Sequence, residues 1–140
     1  MAMTSQFQSR QARVTCTGEE YFSFITDMRN FGQFIPGKSV EGWKADENSC
    51  RINMNPMGEI SLEIVSRIPC SEVSFAGTVL VTTGFVLHVY ISEEESGKAL
   101  VSLLMESDLN PMLRAMASGP IERFLEILVT EMENFRGWRR

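Results

Sequence analysis

Ser107-Asp108-Leu109-Asn110-Pro111-Met112-Leu113 joins an alternating strand to a long amphipathic helix with an abrupt boundary, and its reading decides the fold. Asn110 is a favoured N-cap, and Pro111 suits the first helical position, where no backbone N–H is needed. Apolar residues then recur at Leu113, Met116, Ile121, Phe124, Leu128, Met132 and Phe135, which marks one helical face. A helix of about 24 residues would run roughly 36 Å. The chain from residue 40 to 109 reads as short strands, so one long terminal helix has to cover one curved antiparallel sheet.

Working back from that boundary, turn residues arrive every eight to twelve positions or so, and the period is two. The pattern predicts strands at Val40 to Ala45, Cys50 to Asn55, Gly58 to Ile68, Glu72 to Val81, Phe85 to Ser92 and Lys98 to Leu109. Their short links force antiparallel neighbours. A first strand, poor in alternation, falls within residues 4 to 15. Thr17 with Glu20 is a capping box opening a short helix, and a second short turn or helix over Asp27 to Phe34 is ended by Pro36-Gly37. The expected class is α+β: a curved antiparallel sheet of about seven strands, two short helices after strand 1, and a long C-terminal helix over the concave face. Residues 1–140 read as one domain, large enough to bury about two thirds of its unfolded surface.

Alternation assigns faces. Ile60, Leu62, Ile64 and Ser66 share one side, as do Phe85, Leu87, Val89 and Ile91, and Val101, Leu103, Met105, Ser107 and Leu109. Carboxylates and guanidinium groups fall on the other side, so the concave face is apolar. His88, the one histidine, has the parity of Val86 and Tyr90 and is expected on the convex face, as a surface or sheet-stabilising residue. A one-residue bulge would invert such assignments. Inside, the polar groups are Ser66 and Ser107, with Gln33 and Thr83 at the rim. Hydroxyls without an adjacent base are poor nucleophiles.

This order of elements resembles the helix-grip fold of the START and polyketide cyclase superfamily, also called SRPBCC. Its carriers are Thr17-Gly18-Glu19-Glu20-Tyr21-Phe22-Ser23-Phe24-Ile25-Thr26-Asp27 with Asn30 and Phe31, then Ile35-Pro36-Gly37, and the last strand running into Asn110-Pro111-Met112-Leu113. The closing strand and helix are similar to a small bacterial branch of that superfamily. The resemblance implies a cavity between sheet and helix, used in such proteins by lipid and sterol carriers, hormone receptors, quinone-binding proteins and aromatic-ring cyclases.

The expected ligand is therefore a small hydrophobic molecule: a lipid, an isoprenoid or quinone, or an aromatic metabolite. The cavity residues expected are Phe34, Met54, Leu62, Ile64, Ser66, Phe75, Leu87, Val89, Leu103, Met105, Ser107, Met112, Met116 and Phe124. No catalytic residue, metal ligand or cofactor is assigned, and the balance leans against an enzyme. A polyketide cyclase or aromatase-like enzyme is the alternative, and an interaction module with a filled core the second.

Composition narrows the partners. A formal charge of −5 argues against nucleic acid. No apolar run reaches the ~18 residues that span a bilayer, and the first thirteen residues lack the apolar segment of a secretory signal, so a cytoplasmic location is the default expectation. Membrane contact would be transient at most, through the tail Phe135-Arg136-Gly137-Trp138-Arg139-Arg140, and a homodimer stays open. Three cysteines, Cys16, Cys50 and Cys70, form no CxxC pair and read as reduced thiols. In the tail, Gly137 is expected as a left-handed cap with Trp138 folding back on Met132. Glu93-Glu94-Glu95 reads as a solvated hairpin tip. Gly119-Pro120 inside the long helix predicts a bend near Met116, or a hinge that lifts the first half of the helix.

Overall fold

The computed structural model describes residues 5–34, 41–54, 58–79 and 83–138. Expectations that fall on Ile35-Pro36-Gly37, on the Pro56-Met57 turn or on the side chains of Met54 and Thr83 lie outside the described residues. The chain runs β1 (Ser5–Gln8), β2 (Ala12–Arg13), α1 (Gly18–Ile25), a 3₁₀ helix (Met28–Phe34), β3 (Glu41–Ala45), β4 (Ser49–Met54), β5 (Gly58–Ile68), β6 (Glu72–Val79), β7 (Thr83–Glu93), β8 (Ala99–Ser107) and α2 (Pro111–Asn134). This is the helix-grip fold. All strands join one antiparallel sheet in the order β1-β8-β7-β6-β5-β4-β3, with β2 also on β8.

Among the described residues the sheet has eight strands because the first one is broken. Gln8 faces Leu104 and Ala12 faces Val101, so the N-terminal side carries one residue more than β8 between those pairs. Ser9 repairs the gap: its N–H bonds Leu103 O, and its hydroxyl accepts the Leu103 N–H, both at 2.9 Å. The same irregularity explains the poor alternation of this segment, and it sends Arg10 outward onto α2, where it meets Glu126 at 3.0 Å and Glu133 at 2.7 Å.

Both helix starts are built as the sequence predicts. Thr17 Oγ1 accepts the Glu20 N–H at 3.1 Å while Glu20 Oε1 accepts the Thr17 N–H at 3.0 Å. Asn110 Oδ1 accepts the Leu113 N–H at 2.9 Å, with Pro111 in the first turn. The far end of α2 differs from expectation. Phe135 is extended (φ −73°, ψ 140°), so no left-handed cap forms, and Gly137 is needed for a different reason: a Cβ there would lie 2.9 Å from the Phe135 ring. The rings of Phe135 and Trp138 pull this segment into the core, where Trp138 packs on Tyr21, Phe24 and Phe34 and on Phe135 at the end of its own helix. Pro120 sits inside a continuous α2.

The buried face of α2 is Ala117, Ile121, Phe124, Leu125, Leu128, Val129 and Met132. It lies against β1, β2, β8 and the 3₁₀ helix. The Glu93-Glu94-Glu95 tip is only partly solvated: Glu93 accepts the Gly18 N–H at 2.9 Å, and Glu94 pairs with Arg13, which ties the β7–β8 hairpin to α1 and β2. At the β5–β6 turn, Pro69 leads into Cys70 at φ 58°, a left-handed position usually taken by glycine, closed by Ser71 N–H to Ile68 O at 3.0 Å.

Two outcomes follow from these contacts. Cys70→Gly relieves the left-handed strain and should raise stability by about 1 kcal/mol, measured as a higher urea midpoint at unchanged m-value. Two carboxyls are held below their ordinary range: Asp46 by the N–H groups of Asn48 and Ser49, and Glu133 by Arg10. Their pKa values are lower folded than unfolded, so the stability they add is complete above the ordinary carboxylate values of 3.8 and 4.5 and is lost as pH falls through the depressed values. Carbon-detected NMR titration should place Asp46 and Glu133 below the ordinary values of their residue types.

Candidate functional site

Strand register carries Leu62, Ile64, Phe75, Leu87, Val89, Leu103 and Met105 to the concave face, where each is buried. Phe34 comes from the 3₁₀ helix and Phe124 from α2, and both join the same continuous apolar cluster. Rings dominate one side of it. Phe31 meets Phe75 at 6.1 Å and Phe34 at 6.3 Å, Phe34 meets Trp138 at 5.6 Å, and Phe135 meets Trp138 edge-on at 4.8 Å. Sequence reading missed Phe24, Phe31, Phe135 and Trp138 as part of this group. Phe24 and Phe31 were visible as buried-phase positions of the short helices, and Phe135 as the end of the apolar face of α2, although none was placed in the cavity set.

Three expected cavity residues lie elsewhere. Ser66 is exposed, because Val65 is a bulge residue: Ile64 faces Phe75 and Ser66 faces Ser74, two residues on β5 against one on β6, which flips Ser66 to the convex side. Met112 and Met116 are 73% and 68% exposed. On α2 the buried phase runs through Ala117 rather than Met116, one residue and about 100° away. Gln33, expected at the rim, is exposed.

The interior polar groups are held uncharged. Ser107 donates its hydroxyl to Gly84 O at 2.7 Å and has no base beside it. Burial pushes the Cys16 and Cys50 thiols up to about 12. Burial likewise raises the Tyr21 phenol well above its ordinary value, and its O–H meets only the Met132 thioether, at 3.2 Å. A thioether is a weak acceptor, so this buried hydroxyl keeps donor capacity for a better partner.

On the convex face the expected placement of His88 holds, with more around it than parity could show. His88 Nδ1 lies 2.9 Å from Ser74 Oγ and Nε2 3.1 Å from Glu106 Oε1; Ser74 donates to Glu72 at 3.2 Å, and Tyr90 stacks on the imidazole at 5.9 Å. The set has the residue types of a hydrolytic triad, but Ser74 is 5% exposed and donates its hydroxyl to Glu72, so it is not offered to a substrate. It stabilises three adjacent strands. Among the described residues no three His, Cys, Asp or Glu side chains gather as a metal site, and no helix is long and apolar enough to cross a membrane.

Comparison with known proteins places the fold. No family model matches the chain, and no curated protein matches it in sequence. Solved structures do match. Truncated norcoclaurine synthase from Thalictrum flavum superposes with a TM-score of 0.71 at 8% identity, over 94% of this chain and 92% of that one. The same synthase in complex with dopamine and hydroxybenzaldehyde gives 0.67 at 8% identity, over 96% and 90%. CalU16 from Micromonospora echinospora gives 0.54 at 16% identity, over 93% and 86%. These likenesses establish the helix-grip fold and reach no further into its branches. They also correct the leaning against an enzyme: an apolar helix-grip interior is no mark of carriage alone, since the same architecture is that of a synthase.

Thiol chemistry checks the interior directly. Near neutral pH an aromatic disulfide reagent should titrate one thiol per native chain, exposed Cys70, and all three only after denaturation. Rapid native reaction of Cys16 or Cys50 would mean that the core opens freely.

Proposed function

We propose that the protein binds a small aromatic or polyketide-like molecule between the curved sheet and α2 and promotes its ring closure or condensation there. The observation that carries this reading is the run of aromatic contacts from Phe75 through Phe31 and Phe34 to Trp138, set in an interior of otherwise apolar side chains. Rings prefer tilted and edge-on neighbours, so such a wall favours flat, unsaturated ligands over flexible alkyl chains. The likeness of fold to a synthase crystallised with two aromatic compounds supports chemistry over carriage alone. The placement in a small bacterial branch of the polyketide cyclase superfamily rests on the sequence motifs and belongs to this same reading.

An interior without ionised groups limits how such an enzyme works. Its contribution is confinement: a reactive chain held folded, with water excluded, gains effective concentration and keeps one productive conformation. Tyr21 supplies a hydrogen bond to a carbonyl oxygen as negative charge develops on it, because its present partner, the Met132 thioether, is a weak acceptor. The ligand enters at the first half of α2, where Met112 and Met116 are exposed and Pro120 removes the amide that would bond Met116 O. Exposed thioethers suit an adaptable lip.

Native mass spectrometry of the purified protein, followed by solvent extraction, tests binding first. A stoichiometric aromatic or polyketide species is the expected result; an empty spectrum after incubation with aromatic, quinone and lipid mixtures would leave the filled-core interaction module instead. Turnover is read separately, as cyclised product formed faster than in buffer. A ligand returned unchanged would keep the binding and remove the ring closure. Gly119→Ala meets nothing within 4 Å and should slow ligand exchange several-fold by stiffening the entrance while leaving the fold intact.

A further inference from the structure

We infer that the indole of Trp138 is a built-in occupant of a ligand subsite, a plug that a flat two-ring aromatic molecule displaces when it binds. This role rests on the binding function proposed above. It adds the ring size that the interior takes and the side chain that has to leave.

The rings around Trp138 form a box. Its centroid lies 5.4 Å from that of Tyr21, 5.2 Å from Phe24, 5.6 Å from Phe34 and 4.8 Å from Phe135, at tilted or edge-on angles. Those are the spacings and attitudes at which any aromatic ring gains from its neighbours, so the box favours a free arene as it favours the indole. Tyr21 and Phe34 are fully buried, and Trp138 is 6% exposed. The box therefore encloses one fused two-ring group, packed on the residue whose phenol now meets only the Met132 thioether.

Walls and occupant are held differently. Tyr21 and Phe24 stand on α1 and Phe34 on the 3₁₀ helix, and Asn30 Nδ2 ties those two elements together by donating to Phe24 O at 3.0 Å. Trp138 instead follows α2, beyond the point where Phe135 leaves helical geometry. Its indole N–H donates to Phe135 O at 3.0 Å, and Arg136 Nη1 donates to Glu133 O at 2.7 Å and to Phe135 O at 3.0 Å. These described bonds run back to the end of α2. To α1 and the 3₁₀ helix the indole is joined by ring packing, which an incoming arene replaces in kind.

A place for the displaced ring lies alongside. Trp138 and Phe24 also line an outer groove of about 590 Å³ that passes Ser23 on α1. The indole thus stands between this groove and the interior cluster, and its movement into the groove joins the two. With the box filled in the resting protein, a ligand's apparent affinity is lowered by the fraction of molecules in which the box is open.

The test uses the full chain carrying 5-fluorotryptophan, with 2-naphthol as the flat probe and decahydro-2-naphthol as its saturated counterpart. The chain has two tryptophans, and Trp138→Phe assigns the fluorine signals. In the unmutated chain 2-naphthol should shift the Trp138 signal saturably toward its value in urea, and the saturated alcohol should not. Trp138→Ala, freed from the competing ring, should bind 2-naphthol about tenfold more tightly than the unmutated chain. The fluorine titration stands even where that variant fails to fold. Binding of 2-naphthol that leaves the Trp138 signal in place, equal affinity in the folded variant, or an equal shift with the saturated alcohol would overturn the plug and leave the binding function standing. No binding to the unmutated chain or to the folded variant would overturn both.

Discussion

The structure depends on one apolar seal, between the second half of α2 and the concave face of the sheet. Ile121, Phe124, Leu125, Leu128, Val129 and Met132 are buried in one cluster with Phe7, Val101, Leu103 and Met105. Each large side chain so covered contributes about 1.5–3 kcal/mol relative to exposure, far more than any single surface ion pair in the molecule. The seal fixes where α2 must start and stop. Asn110 turns the chain out of β8 immediately before the helix, and Phe135 leaves helical geometry where its ring, with that of Trp138, can close the far end. Arg10, bridging Glu126 and Glu133 across the exposed side, holds the helix against the broken first strand without entering the core.

A sheet that wraps around a helix cannot keep perfect alternation along every strand, and among the described residues three irregularities absorb the curvature. One lies between Gln8 and Ala12, another between Glu41 and Lys44, and the third at Val65. Each adds a residue on one side of a pair, bends the strand and changes what faces inward beyond it. Gly77 marks another tight place. A Cβ there would sit 1.8 Å from Ser61 O, so β5 and β6 approach closely opposite Phe85 only because the side chain is absent.

Those same features set what the sequence could disclose. The caps at Thr17 and Asn110 are local chemistry, and both helix starts were legible from four residues each. Strand faces were legible wherever pairing is regular, as for Leu87, Val89, Leu103 and Met105, and for His88 on the opposite side. Ser66 was misplaced because a bulge leaves no trace in an alternating pattern until the partner strand is known. Met116 was misplaced because the small Ala117 occupies the buried phase, and a reading that weights bulky apolar residues chooses its neighbour. The Ser74–His88–Glu106 grouping joins three strands and has no signature in one stretch of chain.

Burial sorts the chemistry of this protein into two compartments. Inside, Cys16, Cys50 and Tyr21 are each pushed toward the protonated form by loss of solvent, and Ser107 spends its hydroxyl on a backbone carbonyl. A charged general base there would cost more than this core returns, so an interior reaction has to be one that orientation and a neutral hydrogen-bond donor can accelerate. Intramolecular ring closure of an already reactive chain fits that limit, whereas hydrolysis of a stable bond does not. The ionised groups gather instead on the convex face and along α1, where water remains available to solvate them.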